Sequence, residues 1–383
     1  MEKATRQHTR QHNRNLVLQT IFANEAISRA EVARVTHLTR TTVSEIVSGL
    51  LEEGLVEEIG RGESIGGKSP ILLSIVADSR YLIGLNLAQD KFIGAIVNLR
   101  GEIKEIVEAP VKDNDGQKAL ELVFQLIDQL LKKGMKPIVG IGVGTPGLVH
   151  TREGVVLSAV NLDWQDLPLG QLLENKYKIP VSVLNDSQAT AIGEFVYGGE
   201  HAVDENLIVI NVKHGIGSGI LINGRLYQGD GGGAGEIGHV VVQRENGELC
   251  RCGKRGCLET VASAHAVLQQ LKMDSLDQAQ AAFAAGDEKA VQVVCNAAHH
   301  LGISLANLIG ILNIQKIVLT GDMSHFGPQW LEAVEDGMRN AVLGPMSENT
   351  RVELGALDYR ACILGASAFL LLDDYSLLFR LEN

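Results

Sequence analysis

One histidine and three cysteines stand at a spacing that suits a metal: His239, then Cys250-Arg251-Cys252, then Cys257 after four intervening residues. Three thiolates and one imidazole satisfy a tetrahedral Zn²⁺ and leave no open position, so the ion expected here is structural. Gly253 and Gly256 let the loop over residues 239–257 turn tightly. Arg251, Lys254 and Arg255 offset the charge of the third thiolate. Unconnected free thiols are the alternative, and the spacing argues against it. The other two cysteines, Cys295 and Cys362, lie in apolar helical patterns and read as core residues.

A second group carries oxygen and amide chemistry. Asn185 and Asp186 follow an apolar strand over 181–184, and ligands of α/β proteins bind at such strand ends. Glu236 lies in a glycine-rich loop, and Glu259 follows the last cysteine by two. Paired acceptors and donors of this kind suit the vicinal hydroxyls of a sugar when they are held rigidly. Each has a plainer reading: Asp186 as the N-cap of a helix over 188–195, Glu259 as a surface residue.

A third group lies near the N-terminus. Residues 15–23 read as a helix with Leu16, Val17, Ile21 and Phe22 apolar. Ser28-Arg29-Ala30-Glu31 is a capping box that opens a second helix. After the break Thr36-His37-Leu38, Thr39 caps a third helix running to about Glu53. Two helices joined by so short a turn form a helix-turn-helix pattern. His37 occupies a turn position where glycine is common. Arg29, Thr39, Arg40, Thr41, Thr42 and Ser44 are the candidate contacts to phosphates and base edges. Strands over 55–59 and 71–75 flank a glycine-rich loop with Arg61 and Lys68, a wing suited to DNA. An extended basic arm ahead of the first helix adds to that reading; a small helical dimerisation module is the alternative.

Charge supports the division. The chain has 34 basic and 46 acidic residues for a net −12, yet residues 1–75 balance nine of each, so the whole excess lies beyond them. Residues 1–40 hold seven basic and three acidic groups. The pattern suggests a DNA-facing N-terminus attached to an acidic domain with another task. No apolar stretch is read as reaching the roughly 20 residues that cross a membrane. The first thirty residues lack the apolar segment of a secretory signal, and scarce cysteine suits a reducing compartment, so the cytoplasm is expected.

From Tyr81 onward, strands alternate with helices. Strands are expected over 81–87, 92–99, 103–109, 138–143, 207–212 and 316–320, and helices over 119–132, 261–271, 290–312 and 329–342. Two such units suggest an α/β protein of two lobes with a cleft between them.

These residues together resemble the repressor branch of the ROK family (repressors, open reading frames and kinases), of the xylose-repressor type, over residues 10 to 370. The motifs are Ser28–Glu31 with Thr39–Ser44, Gly66-Gly67-Lys68-Ser69-Pro70, Gly142-Val-Gly-Thr-Pro-Gly147, Asn161, Asn185-Asp186, Gly235-Glu236-Ile-Gly-His239 and the cysteine cluster. The resemblance implies a winged helix-turn-helix over 1–76 and a two-lobed, actin-like ROK sugar-kinase fold over 77–383. It also implies that Asn161, Asn185, Asp186, Glu236, His239 and Glu259 surround a sugar, with Gly144 and Gly147 on the opposite wall.

In the kinases of that family Asp186 would be the general base. Here the first phosphate loop, Asp-x-Gly-Gly-Thr-Lys in those kinases, reads Asn86-Leu-Ala88-Gln89-Asp90-Lys91. The second has Lys213-His214-Gly215 before an intact Gly217-Ser218-Gly219, and Thr320-Gly321-Asp322 replaces consecutive glycines near the adenosine. Side chains and a repelling charge would spoil a cradle that works by positioning phosphates. The expectation is therefore a sugar-responsive repressor of carbohydrate-utilisation genes that binds no ATP. Its partners are operator DNA and a small sugar, and it is a homodimer or dimer of dimers with no membrane association. A sugar kinase with an appended DNA-binding domain is the alternative. A zinc hydrolase fails, because protein fills all four ligand positions. Glucose, xylose, N-acetylglucosamine or a short oligosaccharide would each suit the loops.

Overall fold

The computed structural model of the chain describes residues 6–24, 26–63, 69–88, 90–111, 116–199, 205–373 and 378. Lys68, Gly66 and Gly67 of the expected wing, and Gln89 of the first phosphate loop, lie outside them.

Helix α1 (Arg6–Phe22) starts nine residues before the helix expected over 15–23. Its first turns are polar and carry no hydrophobic period, but contacts such as Gln11 Nε2 to Asn15 Oδ1 (2.9 Å) support them. The basic residues from Arg6 onward are thus helical and form no extended arm. Val17, Leu18 and Ile21 are fully buried. Strand β1 (Ile27–Ser28), which sequence reasoning missed, leads into α2 (Arg29–Thr36). The capping box forms as expected: the Ser28 amide donates to Glu31 Oε2 (2.9 Å) and Ser28 Oγ accepts from the Glu31 amide (3.3 Å). Helix α3 (Arg40–Glu52) follows, then β2 (Val56–Arg61) and β3 (Ile71–Ile75), in a sheet of order β1-β3-β2.

His37 closes α2 in the left-handed region, at φ 56° and ψ 20°. A side chain there costs on the order of 1 kcal/mol relative to glycine. His37→Gly is expected to stabilise the protein by about 0.5–1 kcal/mol in chemical denaturation. A lower midpoint would mean that the imidazole makes contacts outweighing the strain.

The remaining chain builds two five-stranded sheets. β4 (Tyr81–Leu87), β5 (Lys91–Asn98), β6 (Ile103–Pro110), β7 (Ile138–Thr145) and β11 (Val181–Asn185) pair in the order β11-β7-β4-β5-β6. α4 (Gly116–Leu131) packs on them, burying Val123, Leu126, Ile127 and Leu130. Between β7 and β11 lie β8 (Leu148–His150), β9 (Val155–Ala159), β10 (Trp164–Leu167) and α5 (Leu169–Tyr177). After α6 (Asp186–Tyr197), the second sheet has β12 (Leu207–Val212), β13 (Ile216–Ile222) and β14 (Arg225–Tyr227). It is completed by β15 (Lys316–Thr320) and β16 (Arg351–Leu354), in the order β14-β13-β12-β15-β16.

The second lobe's helices are α7 (Glu259–Ala262), α8 (Ala264–Leu271), α9 (Leu276–Ala284), α10 (Glu288–Leu312), α11 (Pro328–Arg339) and α12 (Gly344–Asn349). The helix expected over 261–271 is two helices, because Ser263 turns extended (φ −77°, ψ 163°) and caps α8 through the Ala266 amide. α10 corrects another expectation: its 25 residues are long and apolar enough to cross a membrane. In the fold it runs through the second lobe's core, burying Ala297, Leu301, Leu305 and Ile309.

The last helix, α13 (Arg360–Asp373), returns to the first lobe and crosses α6 at backbone contact. A Cβ at Gly365 would lie 1.8 Å from the Ala189 carbonyl oxygen, and one at Gly193 2.0 Å from that of Ala361, so glycine is required at both. The far end of α13, with Leu370 and Leu371, joins Leu82, Leu99 and Val139 in one apolar core with Val17, Leu18, Ile21, Val47 and Leu50 of the N-terminal helices. Arg100 adds a polar clasp, donating to the carbonyls of Phe22 (2.8 Å) and Asn24 (3.2 Å) and to Ser74 Oγ (3.1 Å).

Candidate functional site

At the N-terminal end of α3, Thr39 is extended and its Oγ1 accepts from the Thr42 amide at 3.2 Å. The two threonine hydroxyls also bond each other at 2.9 Å. Two of the candidate DNA contacts are therefore spent largely on the cap. Arg40, Thr41 and Ser44 form the exposed edge. Arg29 pairs with Glu58 at 2.9 Å and braces α2 against β2. Arg61 is exposed at the end of β2.

The metal candidates converge. One donor atom each from His239, Cys250, Cys252 and Cys257 lies within 4.8 Å of the others. Cys250 Sγ is 3.5 Å from His239 Nδ1, and Cys252 Sγ is 3.6 Å from Cys257 Sγ. Thiolates bound to zinc at about 2.3 Å sit roughly 3.8 Å apart in a tetrahedron, so the set fits such an ion with little movement. The backbone makes the turn: the Cys250 amide donates to the Lys254 carbonyl (2.8 Å) and the Gly253 amide to that of Cys250 (2.9 Å). Because Nδ1 of His239 faces the thiols, Nε2 is its remaining nitrogen.

The oxygen-bearing residues come together from both lobes: Arg251 joins Glu259 to Asn161, and Glu236 lies near enough to Asp186 and Glu259 to feel both as like charges. Asn185, not Asp186, is the N-cap of α6: its Oδ1 accepts from the amides of Ser187 (2.9 Å) and Gln188 (3.2 Å). Its Nδ2 donates to the Gly147 carbonyl at 2.9 Å, fixing that turn. Gly147 itself has φ +90°, and a Cβ there would lie 2.1 Å from the Ser158 carbonyl oxygen. Gly144 is a packing position, since its Cβ would strike Cys362 Sγ of α13 at 2.4 Å. Asp186 is the first residue of α6, and its Oδ1 accepts from the Ser187 amide at 2.8 Å. Burial pushes its carboxyl above the ordinary range, opposed chiefly by the charge of Lys213. Burial, with Asp186 as a nearby like charge, pushes Glu236 up to about 7. Near neutral pH that carboxyl is shared between a form that only accepts and one that also donates.

Glu259 is almost fully buried at the start of α7 and is held on both oxygens. Arg251 Nε lies 2.8 Å from Oε1 and Nη2 2.9 Å from Oε2, while the Ile216 amide donates to Oε2 at 3.2 Å. The same guanidinium reaches across the cleft and donates from Nη1 to Asn161 Oδ1 at 3.3 Å. Gly215 leaves room for this pair, for a Cβ there would lie 2.4 Å from Glu259 Oε2 and 2.6 Å from Arg251 Nη2.

A helix that can present side chains to DNA, a four-donor metal cluster and an acidic cluster drawn from both lobes thus occur on one chain. A profile of the ROK family matches residues 82–372, and one for winged helix-turn-helix DNA binding matches residues 10–57. The chain belongs to the ROK family. It is 33% identical to the xylose repressor of Caldicellulosiruptor bescii, over 96% of this chain and 97% of that protein. It is 32% identical to a glucokinase of Halalkalibacterium halodurans, over 75% of this chain and 93% of the kinase. A solved ROK family transcriptional regulator, a homologue of the E. coli MLC protein, superposes with a TM-score of 0.84 at 26% identity, over 97% of this chain and 98% of the other.

Within this ROK fold, two residues go beyond the sequence reading. Arg251 was assigned only to balancing thiolate charge, yet it joins Glu259 to Asn161. Its place one residue after a cysteine ligand, facing a glutamate two residues past the last one, was the available signal. Lys213, noted only as a missing glycine-loop position, influences both Asp186 and Asp322 as a nearby positive charge.

Proposed function

We propose that this ROK protein is a sugar-responsive DNA-binding repressor of carbohydrate-utilisation genes, acting in the cytoplasm as a homodimer or dimer of dimers. The observation that carries the reading is the exposed Arg40-Thr41-Ser44 edge of α3, on a helix-turn-helix whose core continues into the lobe bearing Asp186. The first functional unit spans residues 1–76 and the second 77–383. The full-length likeness to a protein named xylose repressor supports a sugar as effector.

In the cleft, Asp186 and Glu236 bond the effector's hydroxyls, Glu259 is presented by Arg251, and Asn161 closes the site from the other lobe. His239 offers Nε2. Asn185 and the turn of Gly144 and Gly147 shape the wall more than they bond the sugar. His239, Cys250, Cys252 and Cys257 hold a structural Zn²⁺, which supplies a fixed cross-link to the loop carrying Arg251.

Binding without phosphoryl transfer is the further proposal. Lys213 brings a resident ammonium to Asp186 and Asp322, and Asn86 is a buried amide where the family's kinases have an acid. These features favour a cleft neutralised by the protein's own cation over one awaiting Mg²⁺ and ATP.

Asp186→Asn is expected to weaken sugar binding roughly tenfold or more, the worth of a charged acceptor at about 1.5–3 kcal/mol. DNA binding without sugar should persist. Operator gel shifts with and without xylose, glucose and N-acetylglucosamine, run beside a coupled assay of ATP turnover, test the reading. Sugar-dependent ATP turnover in the unmutated protein, lost in Asp186→Asn, would establish the kinase alternative instead. On the DNA side, Arg40→Ala should cost about 1–3 kcal/mol of operator affinity and relax base preference at one position. Wild-type binding by that variant would remove Arg40 from the interface.

A further inference from the structure

The cysteines of the four-donor cluster differ in exposure. Cys250 and Cys257 are buried, whereas Cys252 is exposed. A small solute therefore reaches Cys252 before either of the others. A cysteine that ligates a metal does so as thiolate, which is also its nucleophilic form. Accessible thiolates with a second sulfur at hand are the ones that oxidise reversibly.

The second sulfur is that of Cys257, 3.6 Å away. A disulfide spans about 2.05 Å, so the two must close by about 1.5 Å. The backbone decides which of them moves. Cys257 is pinned by its isolated bridge to Val241 and by the Leu258 amide, which donates to the Val240 carbonyl at 2.9 Å. Cys252 is followed by Gly253, at φ +84°, where a Cβ would meet nothing within 4 Å. The segment carrying Cys252 has room to swing about Gly253 toward a fixed partner. Cys250 is the poorer partner: its Sγ faces His239 Nδ1 at 3.5 Å, and its amide is tied to the Lys254 carbonyl at 2.8 Å.

On the reading that these residues hold a structural Zn²⁺, we infer that Cys252 and Cys257 form a peroxide-responsive disulfide that unloads the loop and switches off the response to sugar. The Cys252 thiolate attacks one oxygen of hydrogen peroxide; the O–O bond breaks, and hydroxide leaves with its electron pair. The sulfenic acid so formed is then attacked at sulfur by the Cys257 thiolate, which expels a second hydroxide. Both hydroxides take protons from solvent. Two thiolates, one peroxide and two protons thus give one disulfide and two waters, with two electrons passing from sulfur to oxygen. His239 and Cys250 remain, too few donors for a closed tetrahedral site.

The place of the bond in the chain gives it a consequence. Arg251, directly before Cys252, joins Glu259 to Asn161 of the first lobe. Drawing Cys252 toward Cys257 moves the backbone that carries this guanidinium, so the link between the lobes loosens. Thiol exchange with cellular reductants reopens the disulfide and lets the loop reload.

Treating the full-length protein with hydrogen peroxide, and following zinc release with a chromogenic chelator, tests this. Arg251, Lys254 and Arg255 are trypsin sites, so Cys250, Cys252 and Cys257 fall in separate peptides and mass mapping without reduction reads the pairing. The treated protein should lose its stoichiometric zinc and show Cys252 linked to Cys257. Its operator gel shifts should no longer change with whichever of xylose, glucose or N-acetylglucosamine acts on the untreated protein. Dithiothreitol with added zinc should restore the starting state. Cys252→His keeps four donors, two thiolates and two imidazoles, but cannot form the bond, so it should hold zinc under the same exposure. If that variant never loads zinc, the peptide map of the wild type decides alone. Zinc retained by treated wild-type protein, a disulfide through Cys250, equal release from Cys252→His, or an unchanged sugar response after the bond forms would overturn the switch. Untreated protein without zinc would remove the metal site itself, and the switch with it.

Discussion

Cys257→Ser is expected to lower zinc affinity by two to three orders of magnitude and to abolish the response to sugar. Binding of zinc to a structural four-ligand site is worth about 10–16 kcal/mol, so one ligand in four carries roughly 2.5–4 kcal/mol. Cys257 is fully buried and forms an isolated antiparallel bridge with Val241, and the Leu258 amide just beyond it donates to the Val240 carbonyl at 2.9 Å. Serine keeps the volume but supplies no thiolate. The loop over 240–256 then loses the anchor that presents Arg251, and Glu259 loses its partner. Elemental analysis of protein purified without chelators, with limited proteolysis of that loop, gives the readout. Wild-type protein without stoichiometric zinc would refute the assignment.

Arg251→Met is the second large effect. It removes a two-pronged pair from Glu259 and the only contact described between Arg251 and the first lobe. Glu259 would keep the Ile216 amide but no cation. Breaking a buried pair costs about 3–5 kcal/mol, and because the Arg251 side chain is 39% exposed, a stability loss of about 1–3 kcal/mol is expected. The charge also acts on Asp186 and Glu236, holding both carboxyls lower than burial alone would set them. Without it their pKa values rise, so Glu236 titrates above about 7. If sugar binding uses the ionised forms, its acid limb moves to higher pH in Arg251→Met and affinity at neutral pH falls. Arg251→Lys restores the charge without the planar fork, and so should return the pH limb but only part of the affinity. A pH profile identical in all three proteins would show that Arg251 acts only on the fold.

Local chemistry was legible where one short segment decides the outcome. The capping box of α2 and the ends of β4, β12 and β15 agree with the sequence reading because they depend on neighbouring side chains or uninterrupted apolar runs. The cysteine spacing likewise brought four donors together. The cap of α6 stayed open in the sequence, where Asp186 as N-cap was the plainer alternative to a ligand role, because Asn185 and Asp186 are both competent caps and only the backbone at Asn185 (φ −62°, ψ 142°) separates them. Strands β8 to β10 have too few residues to show a period. The role of Gly144 depends on Cys362, more than two hundred residues away, which no local pattern records. The expected wing contact at Lys68 lies outside the described residues.

The shared core of the N-terminal helices and the first lobe, clasped by Arg100, bears on how the molecule comes apart. A DNA reader on a slack tether would melt by itself and exchange its amide protons whatever occupied the sugar domain. Here Leu370, Leu371, Leu82 and Leu99 pack with Val17, Leu18 and Leu50, so loosening the reader exposes apolar surface of both partners. Heating should produce a single calorimetric transition for the reader and the first lobe. Amide protons of Val47 and Leu50 should then exchange with deuterium more slowly when a ligand fills the distant cleft, because the opening that releases them is shared.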